Sequence, residues 1–400
     1  MREVYIFDAV RTPRGRGKSS GALHTTRPLG LFATALKALP SRQHFDTSEI
    51  DDVICGSVTQ IEEQGGCIAR FAALIAGYDE KVPGVTINRF CGSGLEAIRI
   101  AAASISSGLQ DLCVAGGVES MSRVKMGSDG GAMWDASVQR LHPMVPQGIS
   151  ADLLATLYGI SRSQVDTFAL NSHLKAAAAQ KSGFFKSIVP VIDINNQVLL
   201  DHDENIRADT NIEKLASLSP SFEMMGTVFA LDALTKNRYP AVESIQHVHT
   251  AGNSSAIVDG AAAVLLGSLE KGKALGLTPK AKIKWIGVVA SDPVAMLKGP
   301  IPVTQLSLQK TGMQISDIDL FEVNEAFAIV PLMYMQEFNL DPAKVNIYGG
   351  AIALGHPLGA TGAMLVETLL EALVQKNLTT GLVTLCIGGG MGICAIIERV

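Results

Sequence analysis

The run Pro83-Gly-Val-Thr-Ile-Asn-Arg-Phe-Cys91-Gly-Ser-Gly-Leu-Glu-Ala-Ile-Arg-Ile-Ala-Ala-Ala-Ser-Ile-Ser-Ser-Gly108-Leu-Gln-Asp111-Leu-Cys-Val-Ala-Gly116 decides the fold class. Pro83 to Ile87 is a short apolar run that predicts a strand. Cys91 to Ser107 predicts a helix, and Gly108 is its stop signal. Asp111 to Gly116 predicts the next strand. Strand, helix and strand in that order form a βαβ unit and require a mostly parallel sheet.

The same alternation extends outward. Val4 to Val10 and Asp52 to Ser57 predict further strands, and Leu29 to Leu39 a helix. The start, Met1-Arg-Glu-Val-Tyr-Ile-Phe-Asp-Ala-Val, carries acids inside its apolar run, so it predicts a first strand and no signal or transit peptide. From about residue 271 the pattern returns. Ser48-Glu-Ile-Asp-Asp-Val-Ile-Cys-Gly is echoed by Ser316-Asp-Ile-Asp-Leu-Phe-Glu-Val-Asn, an offset of 316 − 48 = 268. Leu112-Cys-Val-Ala-Gly-Gly is echoed by Leu385-Cys-Ile-Gly-Gly-Gly, an offset of 385 − 112 = 273. Two echoes at nearly one offset indicate a duplicated α/β half.

Residues from about Ser120 to His247 break the pattern with a Gly/Met-rich segment, a helix from about Ser163 to Lys181, and a polar loop around Asp201 to Asn211. They read as an insertion over the mouth of the duplicated core, where long loops carry substrate contacts. The division expected is therefore 1–120 with about 248–270 as an N-terminal half, 121–247 as an inserted loop domain, and 271–400 as a C-terminal half.

Bulk composition sets the limits. A chain of 400 residues with 47 % apolar and 18 % charged residues is long enough for two or three domains and a large core. Its formal net charge is −5 and it has no dense Lys/Arg block, which argues against nucleic acid or an anionic membrane as a partner. No run of about 18 apolar residues occurs, so no membrane span is expected and a soluble, cytoplasmic chain is. The six cysteines form no C-x-x-C pair and no metal-type spacing with histidine, so no metal site is expected. Most should be reduced and buried. Local context sets Cys91 and Cys386 apart.

Four constellations carry chemistry. Asn88-Arg-Phe-Cys91-Gly-Ser-Gly94 places a cysteine at a glycine-flanked helix start, where the positive helix end lowers a thiol pKa and small neighbours admit an acyl group. Gly349-Gly-Ala-Ile-Ala-Leu-Gly-His356-Pro-Leu-Gly-Ala-Thr-Gly362 sets an imidazole in a glycine-rich loop, suited to proton transfer near neutral pH. Leu385-Cys386-Ile-Gly388-Gly-Gly-Met-Gly392 puts a second cysteine at a strand end, before glycine N–H groups suited to an oxyanion hole. Glu322-Val-Asn324-Glu-Ala-Phe327-Ala puts an asparagine where it can hold a water.

Together these runs resemble the signatures of the thiolase family over essentially the whole chain, from Val10-Arg-Thr-Pro onward. The resemblance implies an α/β fold: two βαβαβαββ halves in a five-layered α-β-α-β-α core, with the insertion serving coenzyme A. It also implies reversible CoA-dependent cleavage or Claisen condensation of a 3-oxoacyl-CoA. Cys91 would be the acylated nucleophile, His356 the base that takes its proton, and Cys386 the acid/base at the α-carbon. His356 with a water on Asn324 would stabilise the enolate, and the N–H groups of Cys91 and Gly388 the tetrahedral intermediate. By the same resemblance Arg207, Ser221, Phe222 and Ser255 would contact CoA, and Gln147, Met296 and Phe327 would line the acyl pocket. Acyl-CoA and CoA are the expected partners, with no metal or redox cofactor, in a homodimer or homotetramer.

The chain departs from the family in the insertion. Val145-Pro-Gln147-Gly-Ile-Ser-Ala-Asp152 stands where many thiolases have His-Met-Gly-x-Thr-Ala-Glu, so Gln147 occupies a methionine's place. Ala256 stands where a glycine is frequent, and Arg123 to Val138 replaces a longer tetramer-forming loop, which leans the expectation towards degradation, as in fatty-acid β-oxidation. Ketosynthase-like condensing enzymes carry a histidine at Asn324 and lack Cys386, which argues against that alternative. A non-catalytic lipid carrier would not need all four reactive groups.

Overall fold

The longest strands of the chain are apolar on both faces, which only a sheet covered by helices on both sides can accommodate. The computed structural model describes residues 2–400; Met1, part of the expected first strand region, lies outside them. Strands β1 (Tyr5–Arg11), β2 (Asp52–Gly56), β3 (Gly84–Ile87), β4 (Leu112–Ser120) and β5 (Val258–Gly267) make one half-sheet in the order β1-β5-β4-β2-β3. Strands β6 (Ala281–Ala290), β7 (Leu320–Val323), β8 (Thr380–Ile387) and β9 (Met391–Arg399) make the other in the order β7-β8-β9-β6. The half-sheets meet at a narrow antiparallel seam between β1 and β6, at Tyr5↔Lys282 and Ile6↔Ala281.

Two helices fill the space between the half-sheets: α3 (Ser93–Ser107) and α8 (Thr361–Lys376), which pack against each other and against strands of both. Their Leu95, Ile98, Met364 and Leu369 join Ile6, Val264, Val383 and Ile393 in one core shared by the two halves. Full burial of each such side chain contributes about 1.5–3 kcal/mol. Helices α1 (Pro28–Gln43) and α2 (Ile68–Ile75) cover the outer face of the first half-sheet, and α6 (Pro300–Thr311), with α7 (Ile329–Phe338) beside it, that of the second. The layers therefore run α-β-α-β-α, as the sequence implies.

The duplication is literal in the backbone. β2 pairs with β4 in parallel at Asp52↔Cys113, and β7 with β8 at Leu320↔Gly381. The offsets 320 − 52 and 381 − 113 are both 268. The Asp51 carboxylate accepts the N–H groups of Asp111 and Leu112, and Asp319 those of Thr379 and Thr380, again displaced by 268. The echo at 273 is not a structural equivalence. Register places Leu112 with Thr380, and Leu385 with Gly117. The two runs look alike because each needs small residues for its own reason: Gly117 lies against the Gly359 carbonyl, and Gly388 to Gly390 make the β8–β9 turn.

Between β4 and β5 the chain forms α4 (Gln147–Tyr158) and α5 (Arg162–Lys181). Helix α5 starts one residue earlier than expected, because Ser161 and Gln164 close a capping box. Ile149 and Leu153 of α4 pack with Phe321, Val323 and Phe327 of the second half. The polar stretch 201–211 is a loop, as expected. Among the described residues no helix is long and apolar enough to cross a membrane.

Candidate active site

The helix expected from Cys91 begins at Ser93, because the residues before it make a tight turn. Phe90 sits at φ +44°, a left-handed conformation unusual for a bulky side chain. Local hydrogen bonds hold it there. The Asn88 side chain accepts from the Phe90 N–H at 2.7 Å and donates to the Val58 carbonyl at 3.0 Å. Ser93 Oγ accepts from the Arg89 N–H at 2.8 Å and donates to the Phe90 carbonyl at 2.7 Å. Cys91 is thereby fixed on the turn that leads into α3. Its glycine neighbours are also required by packing. A Cβ on Gly92 would meet Ile387 at 2.6 Å, and one on Gly94 the Gly359 carbonyl at 2.8 Å.

That second contact brings in the histidine loop. Gly355 takes φ +105°, and the His356 N–H donates to the Ala256 carbonyl at 3.0 Å. Thr361 Oγ gives its hydrogen to the Pro357 carbonyl, so it accepts from His356 Nδ1 at 2.6 Å. The lone pair of the imidazole is then on Nε2, which faces Asn324 Nδ2 at 3.4 Å. Burial, and then the Arg14 cation, push the His356 pKa down to about 3, so the ring is a neutral acceptor.

Two buried carboxylates hold this loop. Glu119, at the end of β4, accepts the N–H groups of Val58 (3.0 Å), Thr59 (3.2 Å) and Gly359 (2.9 Å), and Gln64 Nε2 (2.7 Å). Glu325 accepts from Ser172 Oγ (2.7 Å), Asn346 Nδ2 (2.9 Å) and the Ile352 N–H (3.1 Å). Leu358, within the loop, packs with Cys91, Val58 and Met121.

The third element is the β8–β9 turn, where Gly389 and Gly390 take φ +77° and +78°. Gln147, in the first turn of α4, aims Nε2 at the Cys91 sulfur from 4.0 Å, and a Cβ on Gly388 would lie 3.7 Å from that Nε2. Burial pushes the Cys91 thiol up to about 11, against the pull of Gln147, the Gly388 N–H and its own N–H. The sequence argument from the helix end expects the opposite. Removal from water outweighs the helix in the resting thiol. Cys386 is fully buried, and burial followed by the nearby Cys91 drives its thiol higher still.

Cys91, Gly388, Gln147 and Cys386 thus converge, and Asn324 and His356 form a contact pair on the adjoining loop. Phe327 and Met296 are buried in the core that joins α4 to the second half. Phe222 lies edge-on to Phe327 at 5.8 Å between centroids and covers Gly148 of α4. The Ser255 N–H bonds the Ala326 carbonyl beside Phe327, and the Ser221 N–H bonds the His249 carbonyl. Arg207 is exposed, its N–H on His173, and it contacts none of the reactive groups. Sequence reasoning missed Thr361, Glu119 and Glu325. The available signal was a hydroxyl five residues after His356, and acids inside apolar runs, which are buried only with partners.

Residues 4–237 match the thiolase N-terminal domain and residues 277–399 the thiolase C-terminal domain. The chain is 42 % identical over 411 aligned positions to the 3-ketoacyl-CoA thiolase of Aeromonas hydrophila, covering all of both chains. It is 42 % identical over 410 positions to the protein of the same name from Cronobacter sakazakii, again over all of both. The crystal structure of the Bacillus anthracis acetyl-CoA acetyltransferase superposes with a TM-score of 0.85 at 35 % identity, covering 100 % of this chain and 99 % of that one.

Proposed function

Because this chain belongs to the thiolase family and is an acyltransferase of the thiolytic or condensing kind, we propose that it cleaves 3-oxoacyl-CoA through a thioester on Cys91, in the degradative direction. The observation that carries this reading is Cys91 packed against Leu358 of the histidine loop, whose His356 presents Nε2 to Asn324 at 3.4 Å. Nε2 of His356 takes the Cys91 proton, and the sulfur attacks the 3-oxo carbon. The C2–C3 bond breaks and its electrons leave as the enolate of acetyl-CoA, stabilised by His356 and a water on Asn324. Cys386 delivers its proton to C2. Free CoA then gives its thiol proton to the Cys386 thiolate as it attacks the acyl group, and His356 returns its proton to the departing Cys91 sulfur. Donors fixed in a dry site act strongly on these oxyanions. The reaction as balanced uses only CoA and its thioesters.

Acyl-CoA and CoA are the substrates of this reading. Phe222 and Ser255 would bear on the pantetheine side, with Ser221 next to Phe222 and Arg207 further out at the nucleotide. Gln147, Met296 and Phe327 would bound the acyl group. The division into an N-terminal half (1–120 with about 248–270), an inserted domain (121–247) and a C-terminal half (271–400) belongs to the same reading. So does cytoplasmic residence, which the six free cysteines favour. A homodimer is supported by β3 at the end of the sheet, where Val85 and, on α2, Phe71 and Ile75 are exposed.

Incubation with acetyl-CoA followed by peptide mass spectrometry should find the acetyl group on Cys91. Cys386→Ser should still acylate there, while acetoacetyl-CoA thiolysis falls by about 10²–10⁴-fold. Label on another cysteine, or near-normal turnover of Cys386→Ser, would sink the assignment.

A further inference from the structure

Behind the Asn324–His356 pair lies a small buried chamber of about 10 Å³ whose polar lining is Arg14, Glu322, Asn324, Thr361 and Thr368. That is close to the room one water molecule requires. Two groups on its wall lack hydrogen bonds. Arg14 is 2 % exposed, and neither its Nε nor its Nη1 has an acceptor. Its nearest acid, Asp203, is already engaged bidentately by Arg11 at 2.8 and 2.9 Å, leaving Arg14 Nη1 at 3.6 Å. On another wall, Asn324 Oδ1 is buried and has no donor. The chamber thus sets unsatisfied cationic donors and one unsatisfied amide acceptor in a single space, and buried polar groups are seldom left so.

We propose that Arg14 is a positioning residue, holding the Asn324 amide through a water bound in this chamber. The water accepts from the guanidinium and donates to Asn324 Oδ1, with Glu322 as its further partner. The consequence is the orientation of the amide. With Oδ1 turned to the chamber, Nδ2 faces the lone pair of His356 Nε2. Flipped, the amide would set its oxygen against that lone pair, two acceptors face to face. Arg14 therefore acts on the oxyanion pair without touching substrate. The inference rests on the thiolase reading for what Asn324 does.

Two measurements on the full-length protein test it. The first is a high-resolution crystal structure of the wild type, which should show an ordered water within hydrogen-bond reach of both Arg14 and Asn324 Oδ1. A dry chamber or a flipped amide overturns the proposal whether or not the protein is active. The second is a double-mutant cycle of Arg14→Met and Asn324→Ala, read in acetoacetyl-CoA thiolysis. Arg14→Met should lower kcat by about tenfold at nearly unchanged KM, spare Cys91 acetylation, and add nothing in the Asn324→Ala background. Multiplying effects, or full kcat in Arg14→Met, would show Arg14 to be only a packing group. If Arg14→Met does not fold, the crystallographic test decides alone: an ordered water bridging Arg14 and Asn324 Oδ1 supports the proposal and a dry chamber overturns it. A wild type without thiolysis would refute the thiolase reading and leave the crystallographic test of the chamber standing.

Discussion

Gln147 stands where the family resemblance implies a methionine, and its amide lies 4.0 Å from the Cys91 sulfur. A half-buried amide needs a partner, and this one has the Cys91 sulfur. Burial pushes the Cys91 pKa up to about 11, and Gln147 pulls against it. Gln147→Met should therefore raise the pKa further. Below that value alkylation follows the thiolate fraction, so the pH–rate profile of iodoacetamide labelling at Cys91 should move to higher pH. Preference among acyl-CoAs of different chain length should stay the same, since the amide is satisfied within the protein. An unmoved profile, or a reordered preference, would contradict this. Cys91, His356 and Cys386 are legible from their glycine-rich surroundings. Arg14 and Thr361 are not, because their roles depend on which atoms face them across the fold, and only the three-dimensional arrangement fixes that.

Elements position the site through carboxylates that stitch loops together. Glu119 binds the 57–59 turn and the histidine loop at once, with four donors on two oxygens. Glu119→Gln would replace one acceptor oxygen with an NH₂ group facing backbone N–H. The expected loss is about 1–3 kcal/mol of stability, with faster hydrogen exchange at the Gly359 amide and reduced thiolysis. Wild-type melting and exchange in this variant would show that the loop is held elsewhere. The strands and the helix before Gly108 are readable from period and punctuation. The true start of α3 is not, because it depends on a left-handed Phe90 that no propensity predicts. The spurious 273 echo has a similar origin: small residues recur wherever backbones approach, and composition alone does not tell one approach from another.

At the scale of the molecule, the candidate site residues come from both halves of the sheet. Cys91 belongs to the first, while His356, Asn324 and Cys386 belong to the second. At the far end of the first half-sheet, β3 leaves one edge without a neighbour, and Val85 there is 39 % exposed. An apolar edge of this sort needs cover. The wild type should sediment as a dimer or larger, and Val85→Lys should shift it towards monomer. A wild type that runs as a monomer would remove β3 as an interface. Strand–helix alternation and the duplication make two α/β halves legible, and the family resemblance implies their five-layer arrangement. Which edge is left open does not, because strand order is set by long-range pairing.

The rung Ser120↔Asp259 joins β4 to β5. The excursion that carries Gln147 and Phe222 leaves and re-enters the sheet at that one rung, and on its way it touches β1 again at Arg11↔Ile188. Since closing a loop costs little more as it lengthens, the stretches of the excursion that make no such return can change length without moving the register of β4 or β5. Sequence change in those stretches can therefore reshape what lies over Cys91 while the strands beneath it keep their pairing.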